Sequence, residues 1–280
     1  MRILLTNDDG VYAPGLAAME KALRRLGEVF VVAPLREQSG VAHSITFLTP
    51  LQVRKVYVNN KHWAWTVDGT PADCVKLAIS TIMPERPDVV VSGINGGLNS
   101  GVNVLYSGTV AAAVEGTFYG ITSIAVSLQY EENEPFQLAA DLAVGVIGNI
   151  LKQNGTSGRL YNINIPLKAL RNKAPEVRVV PMSVTQYWET FERRTDPMGR
   201  TYYWLSGRPD PGQPKDKNPE GETDLTALAQ GCVSVTPLNF DVTDRHVLTE
   251  MANWDLSPQA DDTSHEGEHT GPQVRVSWRN

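Results

Sequence analysis

The sequence predicts an α/β fold of three layers, in which a doubly wound, mostly parallel sheet lies between two layers of helices. The first observation behind this prediction is that short apolar runs alternate with segments of helical periodicity as far as residue 165. The second is that the runs are continuously apolar, which is typical of parallel strands covered on both faces. The third is that the runs end abruptly at turn-forming or glycine-rich segments, as the first does at residues 7–10.

The elements follow one another in the order that such a sheet requires. An apolar strand opens the chain, and a helix with a proline in its first turn leads to a second apolar strand. A strand pair around an Asn-Asn-Lys turn comes next, and a helix that begins at Thr70 leads into a third parallel strand. The predicted strands are 2–6, 28–34, 51–57, 62–67, 87–93, 121–128, 159–165 and 231–237, and the predicted helices are 14–26, 70–83, 110–116, 136–152 and 223–230.

The alternation weakens beyond Pro166, which indicates an appendage to the core. Residues 183–206 have the pattern of a long hairpin around an Asp-Pro-Met-Gly turn, and the aromatic side chains on its arms favour packing on a second subunit. The predicted organisation is a Rossmann-like core over residues 1–180 and 223–250, an extended hairpin and loop over 181–222, and an irregular tail over 251–280.

Composition limits the classes of function. Of the 280 residues, 41% are hydrophobic and 20% are charged, and the net charge of −6 argues against binding to nucleic-acid polymers or anionic membranes. No apolar run approaches the roughly 18 residues of a membrane-spanning helix, and we expect no signal peptide because the chain enters a strand at once. Cys74 and Cys232 lie singly in apolar stretches and are expected to be buried thiols. We therefore expect a cytoplasmic protein.

Asp8 and Asp9 are the first candidates for chemistry because they directly follow the first strand. In open α/β sheets, ligands bind beyond the carboxyl ends of the strands. Two adjacent carboxylates repel each other, and their oxygens select a hard cation such as Mg²⁺ or Mn²⁺. The alternative is an ordinary Asp-Asp-Gly turn that caps the next helix.

A glycine-rich segment, residues 92–109, is the second candidate region. Its glycines suit a loop whose backbone approaches a ligand closely. The segment leads into a strong helix former at 110–116, which puts Ser107, Gly108 and Thr109 at a helix N-terminus. Free N–H groups and the helix dipole favour an anion at such an end.

Three strand ends are expected to bring oxygen donors to one edge of the sheet. Asp8 and Asp9 follow the first strand, Ser39 the second and Asn95 the third, so that the four can bind one ion. A divalent ion beside an anion-binding helix end is the equipment for phosphoryl hydrolysis. The sequence has neither a G-x-x-x-x-G-K-[ST] loop nor a G-x-G-x-x-G after the first strand, so ATP-driven transfer and dinucleotide redox chemistry are poorly supported.

Five motifs occur together in a characteristic order. They are Asn-Asp-Asp-Gly at 7–10, Gln-Ser-Gly at 38–40, Gly-Thr-Pro-Ala-Asp-Cys at 69–74, Ser-Gly-Ile-Asn-Gly-Gly-Leu-Asn-Ser-Gly at 92–101 and Tyr-Ser-Gly-Thr-Val-Ala-Ala-Ala-Val-Glu-Gly at 106–116. In this order they resemble the SurE family of stationary-phase survival proteins, which are metal-dependent nucleoside monophosphate phosphatases. The resemblance covers roughly residues 1–245.

The resemblance implies one divalent cation per subunit, Mg²⁺ or Mn²⁺. The implied metal ligands are Asp8, Asp9, Ser39 and Asn95, and the implied phosphate contacts are Asn95, Ser107, Gly108 and Thr109. Asp8, Asp9 and Asn95 form the implied catalytic set, and Asp9 is the carboxylate we favour for orienting the attacking water. Because the family's hairpin exchanges between subunits, the resemblance also implies a homodimer or homotetramer formed through residues 183–206.

The leading prediction is a phosphomonoesterase of the 5′-nucleotidase type, which hydrolyses nucleoside monophosphates to nucleoside and phosphate. Two alternatives remain: a phosphatase with Asp8 as covalent nucleophile, and a non-catalytic nucleotide-sensing module. Two side chains near these motifs also have open roles. His43 is either a proton donor or a loop histidine bonded to backbone, and Glu115 is expected to be solvated or capping.

Overall fold

The computed structural model describes residues 1–153, 158–185, 189–209 and 221–257. Its strands are β1 (Arg2–Thr6), β2 (Glu28–Pro34), β3 (Val53–Val58), β4 (Lys61–Val67), β5 (Val89–Gly96), β6 (Thr122–Leu128), β7 (Leu160–Ile165), β8 (Val177–Val179), β9 (Glu189–Thr195), β10 (Thr201–Pro209) and β11 (Val233–Leu238). Its α-helices are α1 (Pro14–Leu23), α2 (Pro71–Leu77), α3 (Gly108–Phe118), α4 (Phe136–Leu151), α5 (Leu167–Leu170), α6 (Asp224–Gln230) and α7 (Arg245–Met251).

Nine strands form one mixed sheet in the order β3-β4-β2-β1-β5-β6-β7-β11-β8. Strands β4, β2, β1, β5, β6 and β7 run parallel to their neighbours within this set. Strand β3 is antiparallel to β4, and β11 is antiparallel to β7. The predicted doubly wound, mostly parallel sheet is confirmed.

Helices cover both faces of this sheet. Successive side chains of the central strands show this, because they pack alternately into two different core clusters. Ile3 and Leu5 of β1 belong to the core cluster that includes α1 and α4. Leu4, between them, belongs to a second cluster that includes residues of α2 and α3. Because both faces are covered by apolar side chains, the strand is apolar at every position, as the sequence pattern indicated.

The order of the strands reverses direction between β1 and β5. From β1 the chain passes through α1 to β2 on one side, whereas β5, its neighbour on the other side, begins the sequence of strands β5, β6 and β7. Such a switch point opens a crevice at the carboxyl ends of the two strands, which is where ligands bind in folds of this class. Residues 7–10 and the glycine-rich segment start at this crevice.

Strands β9 and β10 pair with each other and form a sheet of their own. Asp196 accepts hydrogen bonds from the backbone N–H groups of Met198 and Arg200, which closes the predicted Asp-Pro-Met-Gly turn. The hairpin was predicted from residue 183, but at that position the backbone N–H of Ser183 donates to Asp224 rather than to a strand. Predicted arm residues Tyr187 and Trp188 lie outside the described residues.

The structure departs from the sequence prediction at several short elements. The helix predicted over 70–83 ends at Leu77, and a π-turn over Ala78–Ile82 continues it. Strand β8 and helix α5 were not predicted, because three and four residues are too few to show a clear periodicity, and helix α7 was not predicted either. Among the described residues, no helix combines the length and the apolar character that crossing a membrane requires.

The chain divides into two compact units, Met1–Phe240 and Asp241–Asn280. The first contains both sheets and α1 to α6, and Cys74 and Cys232 are free and buried in it, as expected. The second is described over residues 241–257, where α7 begins after Asp244, whose carboxylate accepts from two backbone N–H groups of the first turn.

Candidate active site

The segment after β1 turns back on itself and holds two carboxylates at the crevice. The Asn7 side-chain amide donates to the carbonyl of Gly10 at 2.9 Å, and Gly10 has φ +98°, a conformation that favours glycine. Asp8 is buried and Asp9 is half-buried. Helix α1 starts after Ala13 without any side-chain cap, so the interpretation of Asp-Asp-Gly as a helix-capping turn is wrong.

The loop after β2 is tied to this turn through the backbone. Gln38 donates its N–H to the carbonyl of Asp8 at 2.7 Å. Ser39 follows directly and is exposed, with its hydroxyl donating to the Glu37 carboxylate at 2.8 Å. The loop therefore carries a hydroxyl oxygen to the edge of the sheet at which Asp8 lies.

The end of β5 contributes an amide and a backbone donor. The Asn95 side-chain nitrogen donates to the carbonyl of Gly97 at 2.7 Å, which leaves Oδ1 as the acceptor atom of this half-buried side chain. The N–H of Gly96 donates to Asp9 Oδ2 at 3.3 Å, so β5 and the turn after β1 are joined at their ends.

The N-terminus of α3 packs directly on Asp8. Ser107 is the N-cap, and its hydroxyl accepts from the Val110 N–H at 3.1 Å. Thr109 Oγ1 donates to Asp8 Oδ1 at 2.5 Å. A Cβ at Gly108 would lie 2.8 Å from the Asp8 Cβ, so only glycine allows the helix end to come this close. The predicted helix N-terminus at 107–109 is confirmed.

These chain ends meet at one pocket of about 540 Å³. Four of the sequence-predicted residues line it, namely Asp8, Ser39, Asn95 and Ser107. The other three, Asp9, Gly108 and Thr109, adjoin the lining residues: Asp9 accepts from the N–H of Gly96, and the other two contact Asp8. The structure therefore brings the whole predicted set to the switch point.

A second pocket of about 570 Å³ lies at the opposite end of the sheet, where α1 and α4 approach Met1. Its carboxylate, Asp141, is ion-paired with Arg25 at 3.0 Å. Gly145 and Gly148 of α4 contribute no side chains to it. This pocket faces the amino ends of the strands, whereas ligands in folds of this class bind beyond the carboxyl ends, so we assign the chemistry to the pocket at the switch point.

Electrostatics distinguish the two carboxylates at the switch point from ordinary surface acids. Burial raises the pKa of Asp8 to about 6, with the charge of Asp9 adding to the rise and the Thr109 hydrogen bond opposing it. Burial also raises the pKa of Asp9, with Glu37 and Glu134 adding to it against the hydrogen bond from Gly96. Both shifts mean that negative charge is uncompensated here.

A hard divalent cation fits this arrangement. Among the described residues, no cluster of three or more His, Cys, Asp or Glu side chains is arranged to hold a metal, so a site at the switch point depends on two carboxylates supplemented by neutral oxygens. Asp8 and Asp9 supply the charge, and Ser39 and Asn95 supply such oxygens. Oxygen donors of this kind are those that Mg²⁺ and Mn²⁺ prefer.

A buried asparagine that the sequence reasoning left without a role fixes the glycine-rich segment. Asn99 donates its backbone N–H to Asn164 at 2.8 Å and its amide to Ser127 at 2.9 Å. The Asn99 carbonyl accepts from the side chains of Asn162 at 2.7 Å and Asn164 at 3.0 Å. Two residues later, the N–H of Gly101 donates to Asp224 at 2.7 Å. The signal in the sequence was the pair of asparagines inside the apolar strand β7.

Glu115 of α3 has a different environment from the predicted one. It is buried rather than solvated, and its two oxygens lie 2.9 Å from Lys76 Nζ of α2 and 2.9 Å from His43 Nε2 of the loop after β2. Burial acts to raise the pKa of Glu115, but the hydrogen bonds from His43 and Lys76 outweigh it and lower the pKa overall. His43 therefore bonds to a carboxylate rather than to backbone.

Comparison with known proteins gives a consistent result. The family model described as "Survival protein SurE" matches residues 3–192. A protein named 5′-nucleotidase SurE from Rhodopirellula baltica is 54% identical over 92% of this chain and its own full length, and one of the same name from Desulforudis audaxviator is 43% identical over 91% of this chain and 97% of its own. The crystal structure of the SurE protein from Aquifex aeolicus superposes with a TM-score of 0.75 at 39% identity, covering 90% of this chain and 98% of the other.

Proposed function

The chain belongs to the SurE family, and on that premise we propose that it is a divalent-metal-dependent phosphomonoesterase that hydrolyses nucleoside monophosphates in the manner of a 5′-nucleotidase. The observation that carries the proposal is the single pocket in which Asp8, Ser39, Asn95 and the N-cap Ser107 meet. The carboxylates favour a cation, whereas the N-terminus of a helix favours an anion. A phosphate ester together with a divalent cation satisfies both preferences.

Asp8, Asp9, Ser39 and Asn95 are the residues that would hold the cation. When bound, a divalent cation neutralises phosphate charge and lowers the pKa of water. The raised pKa values of both aspartates support this assignment, because a nearby cation would relieve the repulsion that burial leaves uncompensated. The ion is Mg²⁺ or Mn²⁺ in this proposal, with one per subunit.

Ser107, Gly108 and Thr109 receive the phosphate in this proposal. The first turn of α3 directs N–H groups and the positive end of the helix dipole at the pocket, where they stabilise the oxygens on which charge develops. Thr109 also holds Asp8 in place through its hydroxyl. Asp9, which is less buried than Asp8, is the carboxylate we assign to orienting the attacking water.

Phosphate release from a panel of nucleoside monophosphates tests this function. We expect turnover with Mn²⁺ or Mg²⁺, loss of turnover with EDTA, and a loss of at least about 100-fold in Asp9→Asn. Turnover that survives EDTA or the substitution would refute the site. Trapping of an aspartyl-phosphate on Asp8 would favour the covalent alternative, and metal-dependent nucleotide binding without phosphate release would favour the sensing module.

We further propose that the β9–β10 hairpin joins subunits into a homodimer or homotetramer. Phe191, Tyr203 and Trp204 leave more than half of their side-chain surface exposed on it, which is unusual for large apolar groups outside an interface. Replacing Trp204 and Phe191 by serine is expected to lower the mass in sedimentation to that of a smaller assembly. An unchanged mass would assign association to another surface.

A further inference from the structure

We propose that Tyr106 and Leu205 form the platform that binds the nucleoside part of the substrate, with the base stacked on the Tyr106 ring. This inference rests on the proposed function and deepens it, because it names where the group beyond the phosphate lies. It also gives the hairpin a role in substrate binding, since Leu205 belongs to β10.

The pocket is larger than its phosphate-binding end requires. Its volume of about 540 Å³ falls within the range of pockets that enclose whole small molecules, about 300–1,000 Å³. Asp8 and Ser107 are buried and form the inner end. Leu98, Tyr106 and Leu205 also line the pocket and add apolar surface beside the polar residues Asn99 and Asn103. This combination next to an anion-binding end suits a phosphate ester of a group that has flat apolar faces and polar edges, such as a nucleobase.

Tyr106 is held at the correct place for such a contact. It directly precedes the N-cap Ser107, so its Cα lies about 3.8 Å from that of a residue that we assign to the phosphate. Its backbone is fixed on both sides: the N–H donates to the Asn103 carbonyl at 3.1 Å, and the carbonyl accepts from the Ala42 N–H at 3.0 Å. The platform residue is therefore anchored although its side chain is 62% exposed.

The ring of Tyr106 is available for stacking. Rings elsewhere in the described part of the chain pack on one another, as His43 does on Phe118 and Tyr202 does on Trp204, but none packs on Tyr106. A tyrosine ring at the mouth of a pocket, with no aromatic partner among the described residues, offers a π-face to a base. Stacking of a base on an aromatic ring stabilises bound nucleotides and tolerates any base, because every base has a π-face.

Leu205 reaches the same pocket from a different part of the chain. It lies on β10 opposite Phe191 of β9, and it is 49% exposed although it lines the pocket. The other lining residues come from the end of β5 and from the segments that follow β1, β2 and β5, so the hairpin adds an apolar side chain from a separate part of the chain. Contact of its apolar side chain with the ribose or base would exclude water from that side.

Paired substrates test the platform. A nucleoside 5′-monophosphate and ribose 5-phosphate share the phosphate and the sugar but differ in the base. We expect Tyr106→Ala to raise KM for the nucleotide about tenfold and to change KM for ribose 5-phosphate less than about twofold. Tyr106→Phe, which keeps the ring, should retain the wild-type KM for both, and Leu205→Ala should raise the nucleotide KM by a smaller factor.

Tyr57→Ala is the matched control, since Tyr57 is 58% exposed and lies on β3 at the edge of the sheet, outside the pocket. An equal change of KM for both substrates in Tyr106→Ala, or no change for either, would overturn the platform. Failure of the proposed function would look different, since wild-type protein would then release phosphate from neither substrate. In that case, calorimetric titration of the nucleotide into wild type and Tyr106→Ala decides the platform, because equal affinity would overturn it.

Discussion

Asp8, which contacts helix α3, and Glu115, which lies on it, are both buried carboxylates, yet their environments are opposite. Asp8 is 3% exposed and faces the hydroxyl of Thr109 and the like charge of Asp9. Glu115 is 2% exposed and bonds to Lys76 and His43. Burial alone raises the pKa of both, and only Glu115 has partners that reverse the effect.

This difference indicates that Glu115 stabilises the fold, whereas Asp8 is suited to binding a ligand. A buried charge without a cationic partner destabilises the folded state. Its presence is therefore most easily understood where a bound cation compensates it, which is the role proposed for Asp8. Glu115 needs no ligand, because Lys76 and His43 already join α3 to α2 and to the loop that carries Ser39.

The largest effect is expected from Asp8→Asn. The amide keeps the shape and the acceptor for Thr109 but removes the charge, so activity should fall at least about 100-fold. In metal-free protein at pH 8 the same change should increase the free energy of unfolding, by up to about 3 kcal/mol, because the pKa of Asp8 rises from 3.8 to about 6 on folding. Urea denaturation in EDTA measures this gain.

The sign of the pH dependence follows from the raised pKa. The loss of stability caused by the Asp8 charge is absent well below pH 3.8, where Asp8 is protonated in both states; it grows as the pH rises from 3.8 to about 6 and is complete above that pH. The gain in the free energy of unfolding of Asp8→Asn should therefore shrink towards pH 4, and Mn²⁺ should stabilise wild type but not the variant.

Asp141→Asn, at the exposed ion pair with Arg25, is the control and should change stability by less than about 0.5 kcal/mol. A lower free energy of unfolding in Asp8→Asn than in wild type at pH 8 would contradict the conclusion that the Asp8 charge destabilises the folded protein.

Glu115→Gln is expected to act in the opposite direction, with a smaller effect on activity. Removing the charge leaves Lys76 and His43 without their carboxylate, and we expect a loss of about 3 kcal/mol in the free energy of unfolding at neutral pH. Because folding lowers the pKa of Glu115 below its ordinary value of 4.5, its contribution is present above that pH and is lost as the pH falls through the folded-state pKa. Urea denaturation at pH 7 and pH 4 measures the change.

His43→Gln is expected to lower the free energy of unfolding less than Glu115→Gln does. It removes one of the two partners and leaves Lys76 in place, so a loss of about 1 kcal/mol is expected. If Glu115→Gln were as stable as wild type at pH 7, the ion pairs would contribute nothing net. The contrast between the two carboxylates would then rest on Asp8 alone.

The central part of the fold could be predicted because its signals are local. Strands β1, β2 and β5 are continuous apolar runs, and the boundaries of β1 and β2 match the prediction residue for residue. Helix α6 was predicted from Thr223, whose backbone N–H donates to the Thr226 hydroxyl at 2.8 Å. The three-residue strand β8 could not be predicted, because three residues cannot show a period and β8 exists only by pairing with β11.

The candidate site was predictable to the extent that its residues stand at strand and helix ends. Asp8 and Ser39 follow strands β1 and β2, Ser107 precedes helix α3, and the switch point brings them together with Asn95. Asn95 was predicted to follow its strand, but β5 extends to Gly96 and therefore includes it. Their roles in binding metal and phosphate stay predictions. Asn99 was not identified as an anchor, because its partner Asn164 lies 65 positions away and only the packed structure brings the two side chains into contact.

The sequence by itself determined the succession of strands and helices, and it determined which side chains stand where the strands end. These features depend on short-range periodicity and on turn chemistry, which neighbouring residues fix. Only the tertiary structure decided that Asp8 would be buried, while Glu115 would meet Lys76, 39 positions away, and His43, 72 positions away. The charge state of a carboxylate depends on the groups packed around it and on how far they exclude water, and neither quantity is encoded in the residues adjacent to it.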